Sequence, residues 1–274
     1  MAVKAVKFGG TSLCNAENFR KVKNIILADK ARKYVVPSAP GKRFPGDEKV
    51  TDLLYLCYAQ NSGGLSFDET FAQIAERYVA IETELGLKTN IAAELASIKK
   101  NIISGASEDF IASRGEYLSG LLLADFLGFG FLDAAELVSF HSDGTYDDET
   151  TQKWTQKLTD TERVVIPGFY GRKRDGSIKT FSRGGSDITG SIVARAVQAD
   201  VYENWTDVNG FLMADPRIVD NPKVISVVTY SELRELSYMG ATVLHEDAIF
   251  PVRRAQIPIN VRNTNSPEEE GTMI

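Results

Sequence analysis

The segment VKAVKFGGTS at residues 3–12 decides the fold, because an apolar strand runs there directly into a glycine loop. Gly9 and Gly10 end the strand, and residues 15–30 then show helical periodicity. One face of that helix carries Phe19, Val22, Ile25 and Ile26. A second short strand follows at residues 33–36, so the chain begins as strand, loop, helix and strand.

The remaining elements continue this alternation. A loop rich in proline and glycine covers residues 37–51, and the middle region is helical over residues 66–85, 90–104 and 107–127. Strands are predicted at 162–166, 201–205 and 257–261, with a hairpin at 169–181 around the turn Arg174-Asp175-Gly176. Capping boxes at Ser66 and Thr229 open helices, Gly240 ends the second of these, and another helix covers 187–199. Strands that alternate with helices predict an α/β fold with a mainly parallel sheet.

Composition limits the class of protein. The chain has 274 residues and a net charge of -6, which argues against general nucleic-acid binding. Its two cysteines, Cys14 and Cys57, cannot form a disulfide framework or a zinc site, and a reducing cytoplasm fits them. The N-terminus lacks a signal-peptide pattern, and the apolar stretch at 118–132 is too short for a membrane span.

The first candidate site is Lys7-Phe8-Gly9-Gly10-Thr11-Ser12. Glycines let backbone N–H groups approach an anion, the following helix contributes the positive end of its dipole, and Lys7 can neutralise a transferring phosphoryl group. The lysine precedes the glycines, so this is not a P-loop. A tight glycine turn beside a solvated lysine is the alternative.

The second candidate site is the loop Ser182-Arg183-Gly184-Gly185-Ser186-Asp187, between a strand and a helix. This is where ligands bind in α/β sheets, and the Arg183 guanidinium suits a carboxylate. For Asp187 the alternative is a simple helix N-cap.

Two further motifs could contribute to a site. Ser113-Arg114-Gly115-Glu116 lies within a predicted helix, where a glycine suggests close packing and Glu116 could accept an ammonium group. The alternative for Glu116 is a solvated surface position. The loop 205–210 with Asp215-Pro216-Arg217 follows a strand and could hold a nucleotide, or could be an ordinary turn. The only histidines, His141 and His245, do not form a zinc-protease motif, and hydrolase or complete GxGxxG motifs are absent.

Together these four motifs, in this order, resemble the aspartate kinase family over essentially the whole chain. The resemblance implies the amino-acid kinase fold, a three-layer αβα sandwich, in a catalytic domain at residues 1–265. It also implies phosphorylation of the L-aspartate side chain by ATP, with Mg²⁺ carried mostly by the ATP phosphates rather than by a metal site in the protein. A cytoplasmic homodimer without nucleic-acid or membrane partners is expected.

The resemblance also implies roles for individual residues. The catalytic groups would be Lys7, Asp187 and Arg183. The aspartate pocket would comprise Ser38, Thr51, Glu116, Arg183, Gly184, Gly185 and Ser186. The ATP site would comprise Lys7, Phe8, Gly9, Gly10, Ser12, Thr206, Asp207, Leu212, Arg217, Thr242 and Val243.

The chain departs from the family pattern in three places. Many relatives have an aromatic residue where Leu212 stands and a lysine where Thr242 stands, which affects the expected nucleotide contacts. The segment 41–50 is longer and more charged than in many relatives. Residues 266–274 are interpreted as the start of a linker to C-terminal regulatory (ACT) domains, so strong feedback inhibition through this chain is not expected.

Two alternatives remain open from the sequence. The nearest is a related kinase acting on acetylglutamate, glutamate, carbamate or a nucleoside monophosphate. The other is a non-catalytic subunit that binds or assembles without turning over ATP.

Overall fold

A computed structural model describes residues 2–182, 184–214, 218–238, 244 and 246–274. The strands are β1 Lys4–Phe8, β2 Arg32–Pro37, β3 Gly130–Phe131, β4 Ser139–Phe140, β5 Val164–Val165, β6 Tyr170–Lys173, β7 Ile178–Thr180, β8 Val201–Thr206, β9 Ile259–Asn263 and β10 Thr272–Met273. The α-helices are α1 Ala16–Ala28, α2 Val50–Ser62, α3 Asp68–Leu85, α4 Ile91–Ile103, α5 Glu108–Leu127, α6 Asp148–Thr155, α7 Gly185–Ala196, α8 Tyr230–Tyr238 and α9 Phe250–Arg254.

The central sheet has the strand order β10-β9-β8-β1-β2-β5-β3. All neighbours are parallel except β10, which runs antiparallel to β9. A second, three-stranded sheet has the order β4-β6-β7. The α/β class with a mainly parallel sheet is therefore confirmed.

Two hydrophobic cores cover the two faces of the central sheet, which makes three layers. Val6 and Phe8 of β1 belong to the core formed with α1 to α5. Ala5, the residue before Val6, belongs to the opposite core, which includes residues of α7 and α9. Successive strand residues point to opposite faces, so this division follows directly from the sequence alternation.

Strand β1 lies where the chain changes direction across the sheet. Its neighbours are β2 on one side and β8 on the other. Loops leaving the carboxyl ends of strands separate at such a point and leave a crevice in which α/β proteins bind ligands. The loops after β1, β2 and β8 all start from this edge.

Several local predictions need correction. The middle region contains an additional helix, α2, which starts at the end of the predicted loop. Helix α3 has Phe67 rather than Ser66 at its N-cap, and the Ser66 hydroxyl instead accepts from the Asp68 N–H. The Phe67 side chain is buried in the core, which fixes the start of the helix one residue later than predicted.

The capping box predicted at Thr229 is confirmed. At Thr229 the capping box is complete: the Glu232 N–H donates to the Thr229 hydroxyl, and the Glu232 carboxylate accepts from the Thr229 N–H. Gly240, predicted to end this helix, lies outside the described residues. The segment interpreted as the start of a linker needs correction, because Thr272–Met273 form β10 and pair with β9 at the edge of the sheet. No helix in the described ranges is both long and apolar enough to cross a bilayer.

Candidate active site

The glycine loop after β1 packs against β8 and against the segment that follows β2. The Gly9 N–H donates to the Trp205 carbonyl at 2.9 Å, and the Gly41 N–H donates to the Gly10 carbonyl at 2.8 Å. A Cβ on Gly10 would lie 2.7 Å from the Ala39 carbonyl oxygen. The two segments touch through backbone atoms at this point, so a side chain on Gly10 would push them apart. A 3₁₀ turn, Gly10–Leu13, follows the loop, and α1 starts only at Ala16, later than the sequence predicts.

Lys7 is buried at the end of β1 and points toward α7. Its side chain is 10% exposed, and its Nζ lies 2.7 Å from Oδ1 of Asp187. The alternative of a solvated lysine is therefore wrong. An ammonium group held by one carboxylate beside a glycine loop can meet a negative charge that develops there.

The second loop opens α7 with glycine instead of a capping side chain. Gly184 is the N-cap, with a left-handed φ of 55°, and no side-chain cap is present. Asp187 therefore lies inside the first turn, and its interpretation as a simple N-cap is wrong. A Cβ on Gly185 would meet Phe169, so this loop also requires close approach. Arg183, predicted to bind a carboxylate, lies outside the described residues.

Glu116 is 5% exposed, which excludes a solvated surface position. Burial raises the pKa of its carboxyl from 4.5 to about 8, while a backbone hydrogen bond from Ala39 opposes this shift. Its Oε2 atom is buried and lacks a hydrogen-bond partner among the described residues. Buried carboxylates normally have a partner, so this atom is suited to a cation supplied by a ligand.

Ala39 connects Glu116 to the glycine loop. It contributes the backbone hydrogen bond to Glu116, and its carbonyl oxygen packs against Gly10. A Cβ on Gly115 would lie 2.8 Å from the Ala39 side chain, so the close packing predicted for Gly115 is confirmed. The Glu116 carboxyl and the glycine loop therefore contact Ala39 from opposite sides.

Two of the predicted pocket residues, Ser38 and Thr51, lie before and after Ala39 in the chain. Ser38 directly precedes Ala39, and its N–H donates to the Phe8 carbonyl. Thr51 lies in the first turn of α2. Both are half-buried. Ser186, in contrast, is 8% exposed, and it packs so closely on Gly168 that a Cβ there would lie 2.6 Å from its hydroxyl.

The predicted ATP residues that are described lie at the carboxyl ends of β1 and β8 or in the segments that follow these strands. Thr206 ends β8 and is half-buried, Asp207 is exposed, and Leu212 forms an isolated bridge with Val224. The Ser12 hydroxyl is buried and hydrogen-bonds the Thr264 hydroxyl at 2.7 Å, so it ties the glycine loop to the residue after β9. Arg217, Thr242 and Val243, together with Asp215 and Pro216, lie outside the described residues.

Sequence reasoning missed two residues here. Asn204 is 2% exposed and contacts both Lys7 and Asp187. A polar residue inside the buried strand β8 was the available signal. Phe169 has a φ of 82°, a left-handed conformation that costs a non-glycine residue about 1–3 kcal/mol. No sequence pattern marks this strain, because it depends on the contact with Gly185.

The fold and this site define the class of the protein. The sequence pattern of the amino acid kinase family matches residues 2–263, and the chain belongs to that family. Among curated proteins it is similar to aspartokinase 3 of Bacillus subtilis, with 39% identity over 99% of the chain and 63% of the relative.

Solved structures of aspartate kinases are also similar to this chain. An aspartate kinase from Clostridium acetobutylicum matches with a TM-score of 0.95 and 53% identity over 100% of this chain and 63% of that one. Aspartokinase III of E. coli, in complex with aspartate and ADP, matches with a TM-score of 0.86 and 27% identity over 99% of this chain and 64% of that one. This chain therefore spans slightly less than two thirds of the length of these relatives.

Proposed function

We propose that the chain transfers the γ-phosphoryl group of ATP to the side-chain carboxylate of L-aspartate. A carboxylate oxygen attacks the γ-phosphorus, the bond to the β-phosphate oxygen breaks, and the products are 4-phospho-L-aspartate and ADP. This would be the first step of lysine, threonine and methionine biosynthesis. The similarity to aspartokinases supports the proposal.

The observation that carries the proposal is the buried, unpartnered carboxylate oxygen of Glu116, which only Ala39 separates from the glycine loop in space. A free amino acid brings an ammonium group that can pair with this oxygen. Acetylglutamate, carbamate and nucleoside monophosphates bring no such cation. A bound ammonium group would favour the ionised form of Glu116, so the pocket favours a free amino acid among the substrates of this family.

Lys7 would stabilise the negative charge of the transferring group. Phosphoryl transfer depends mainly on positioning and electrostatic stabilisation, and the ion pair with Asp187 fixes the Lys7 ammonium at the end of β1. The backbone of Phe8, Gly9 and Gly10 would line the phosphates. Arg183 would bind a substrate carboxylate, with Ser38, Thr51 and the loop 184–186 around it.

The nucleotide would lie along the carboxyl ends of β1 and β8. Thr206, Asp207 and Leu212 would contact it there, and Arg217, Thr242 and Val243 are proposed with them. The described residues contain no group of three or more His, Cys, Asp or Glu residues suited to a metal ion. Mg²⁺ would therefore be held largely by the ATP phosphates, where it neutralises charge.

The test is consumption of Mg·ATP with L-aspartate, with hydroxylamine present to trap the acyl phosphate as its hydroxamate. We expect aspartate-dependent hydroxamate that is lost in Lys7→Ala. Lys4→Ala is the matched control, because Lys4 lies at the opposite end of the same strand and pairs with Asp29 and Glu203. Turnover with glutamate or acetylglutamate instead of aspartate would assign the chain to a related kinase. A folded protein without turnover on any of these substrates would contradict the proposal and favour a binding subunit.

A further inference from the structure

Asn204 lies on β8 directly opposite Lys7 of β1 in the sheet register. Partners in register on neighbouring parallel strands point to the same face, and here that face is covered by α7. Tyr202, two residues earlier on the same face, belongs to the hydrophobic core. An amide at the next inward position is costly to bury unless it is hydrogen-bonded.

The Asn204 amide contacts both members of the Lys7–Asp187 ion pair. Its Nδ2 donates to Asp187 Oδ1 at 2.8 Å, and its Oδ1 accepts from Lys7 Nζ at 3.4 Å. Lys7 Nζ lies 2.7 Å from the same Asp187 oxygen. The three groups therefore form a closed arrangement in which each contacts the other two.

Only one orientation of the amide satisfies both neighbours. The reverse orientation would place the NH₂ group against an ammonium and the carbonyl oxygen against a carboxylate. Asparagine is suited to this position because it donates to an anion and accepts from a cation at the same time. Aspartate would provide two acceptors, and leucine would provide neither group.

We infer that Asn204 is a positioning residue for phosphoryl transfer, acting through Lys7 and Asp187. The inference rests on the proposed function. As a phosphoryl group draws the Lys7 ammonium toward it, Asp187 loses part of its counter-charge. The Asn204 amide continues to donate to Asp187, so the carboxylate stays in place while Lys7 moves along a defined direction.

The first test is Asn204→Leu, which keeps the branched shape of the side chain and removes both hydrogen bonds. We expect kcat to fall about 10- to 100-fold, the effect of losing hydrogen bonds to charged groups. The KM values for aspartate and for ATP should change little, because Asn204 is placed to contact neither. Asn260→Leu, on β9, is the matched control and should retain wild-type kcat.

The second test is Asn204→Asp, which is isosteric and adds a carboxyl group beside Asp187. Among the described residues, the titratable groups on this face include Lys7, Tyr34, Asp187 and Tyr202, and β9 presents Val261 in register with Asn204. Two adjacent carboxylates raise the pKa of one of them. Below that pKa the new carboxyl is protonated and can donate to Asp187 as the amide does.

We therefore expect kcat of Asn204→Asp to recover relative to wild type as the pH falls from 8 to 6. A residue that only supports folding would not produce this opposite pH trend. Equal kcat for wild type and both variants, or parallel pH profiles of wild type and Asn204→Asp, would overturn the inference. Thermal melts identify a variant that fails to fold, and the kinetics of the other variant then test the positioning role.

A second readout separates this inference from the proposed function. Acetic anhydride labels the Lys7 amine, and mass spectrometry gives the labelling rate without any substrate. In Asn204→Leu the Lys7 ammonium loses one of its two hydrogen-bond acceptors and is held less firmly in the buried site, so labelling should be about tenfold faster. If labelling is faster in Asn204→Leu but the wild type has no kinase activity, the contact is supported and the proposed function is contradicted. Equal labelling of Asn204→Leu and wild type would overturn the positioning role.

Discussion

Replacing Glu116 by glutamine should stabilise the fold and lower the activity. Burial raises the pKa of the Glu116 carboxyl from 4.5 to about 8. The folded chain therefore retains a proton at pH 7 that the unfolded chain has released. Each pH unit of this difference is worth about 1.4 kcal/mol, so the group lowers the free energy of unfolding by about 3 kcal/mol at pH 7.

The sign of the pH dependence follows from the raised pKa. Below pH 4.5 the carboxyl is protonated in both states and has no effect on stability. The wild-type chain loses stability as the pH rises from 4.5 to about 8, and the glutamine variant lacks this loss. Glu116→Gln should therefore exceed wild type by only about 1 kcal/mol near pH 5 and by about 3 kcal/mol near pH 7.

Urea unfolding of wild type and Glu116→Gln at pH 5, 6, 7 and 8 measures this difference. Glu108→Gln is the matched control, because Glu108 is exposed in the first turn of the same helix. The same variant should lower kcat/KM for aspartate about 100-fold, since an amide, unlike the Glu116 carboxyl, cannot ionise to balance the substrate ammonium. A stability difference that does not change with pH would refute the assigned burial, and unchanged kcat/KM would refute the proposed ammonium contact.

Two further predictions concern the loops around the site. Gly10→Ala should lower kcat/KM about 100-fold and cost about 1–3 kcal/mol of stability, because the new Cβ would lie 2.7 Å from the Ala39 carbonyl oxygen. Gly9→Ala, whose Cβ meets nothing closer than 3.6 Å, should cost clearly less stability in the same urea assay. Asp47→Asn should cost about 3–5 kcal/mol, because Asp47 pairs with the buried Arg77 at 2.5 Å. Its charged neighbours hold the pKa of Asp47 well below its ordinary value of 3.8. The stability difference between Asp47→Asn and wild type should therefore shrink as the pH falls below 3.8. Equal stability of Asp47→Asn and the exposed control Glu48→Gln at pH 7 would contradict this account.

Local chemistry made much of the fold predictable. The alternation in β1, the apolar face of α1 and the capping box at Thr229 each depend on neighbouring residues, and the structure confirms all three. The boundary at Ser66 was one residue off because the burial of Phe67, a tertiary contact, determines where α3 begins.

By itself, the sequence determined the α/β class, the glycine loops and the candidate residues Lys7, Asp187 and Glu116, because spacing and residue type depend only on the chain. Tertiary structure alone decided that Lys7 pairs with Asp187 and Asn204, which are 180 and 197 positions away along the chain. It also decided that Glu116 is buried with an unpartnered oxygen. Desolvation and ion pairing depend on what surrounds a group in space, and residues distant in sequence provide those surroundings.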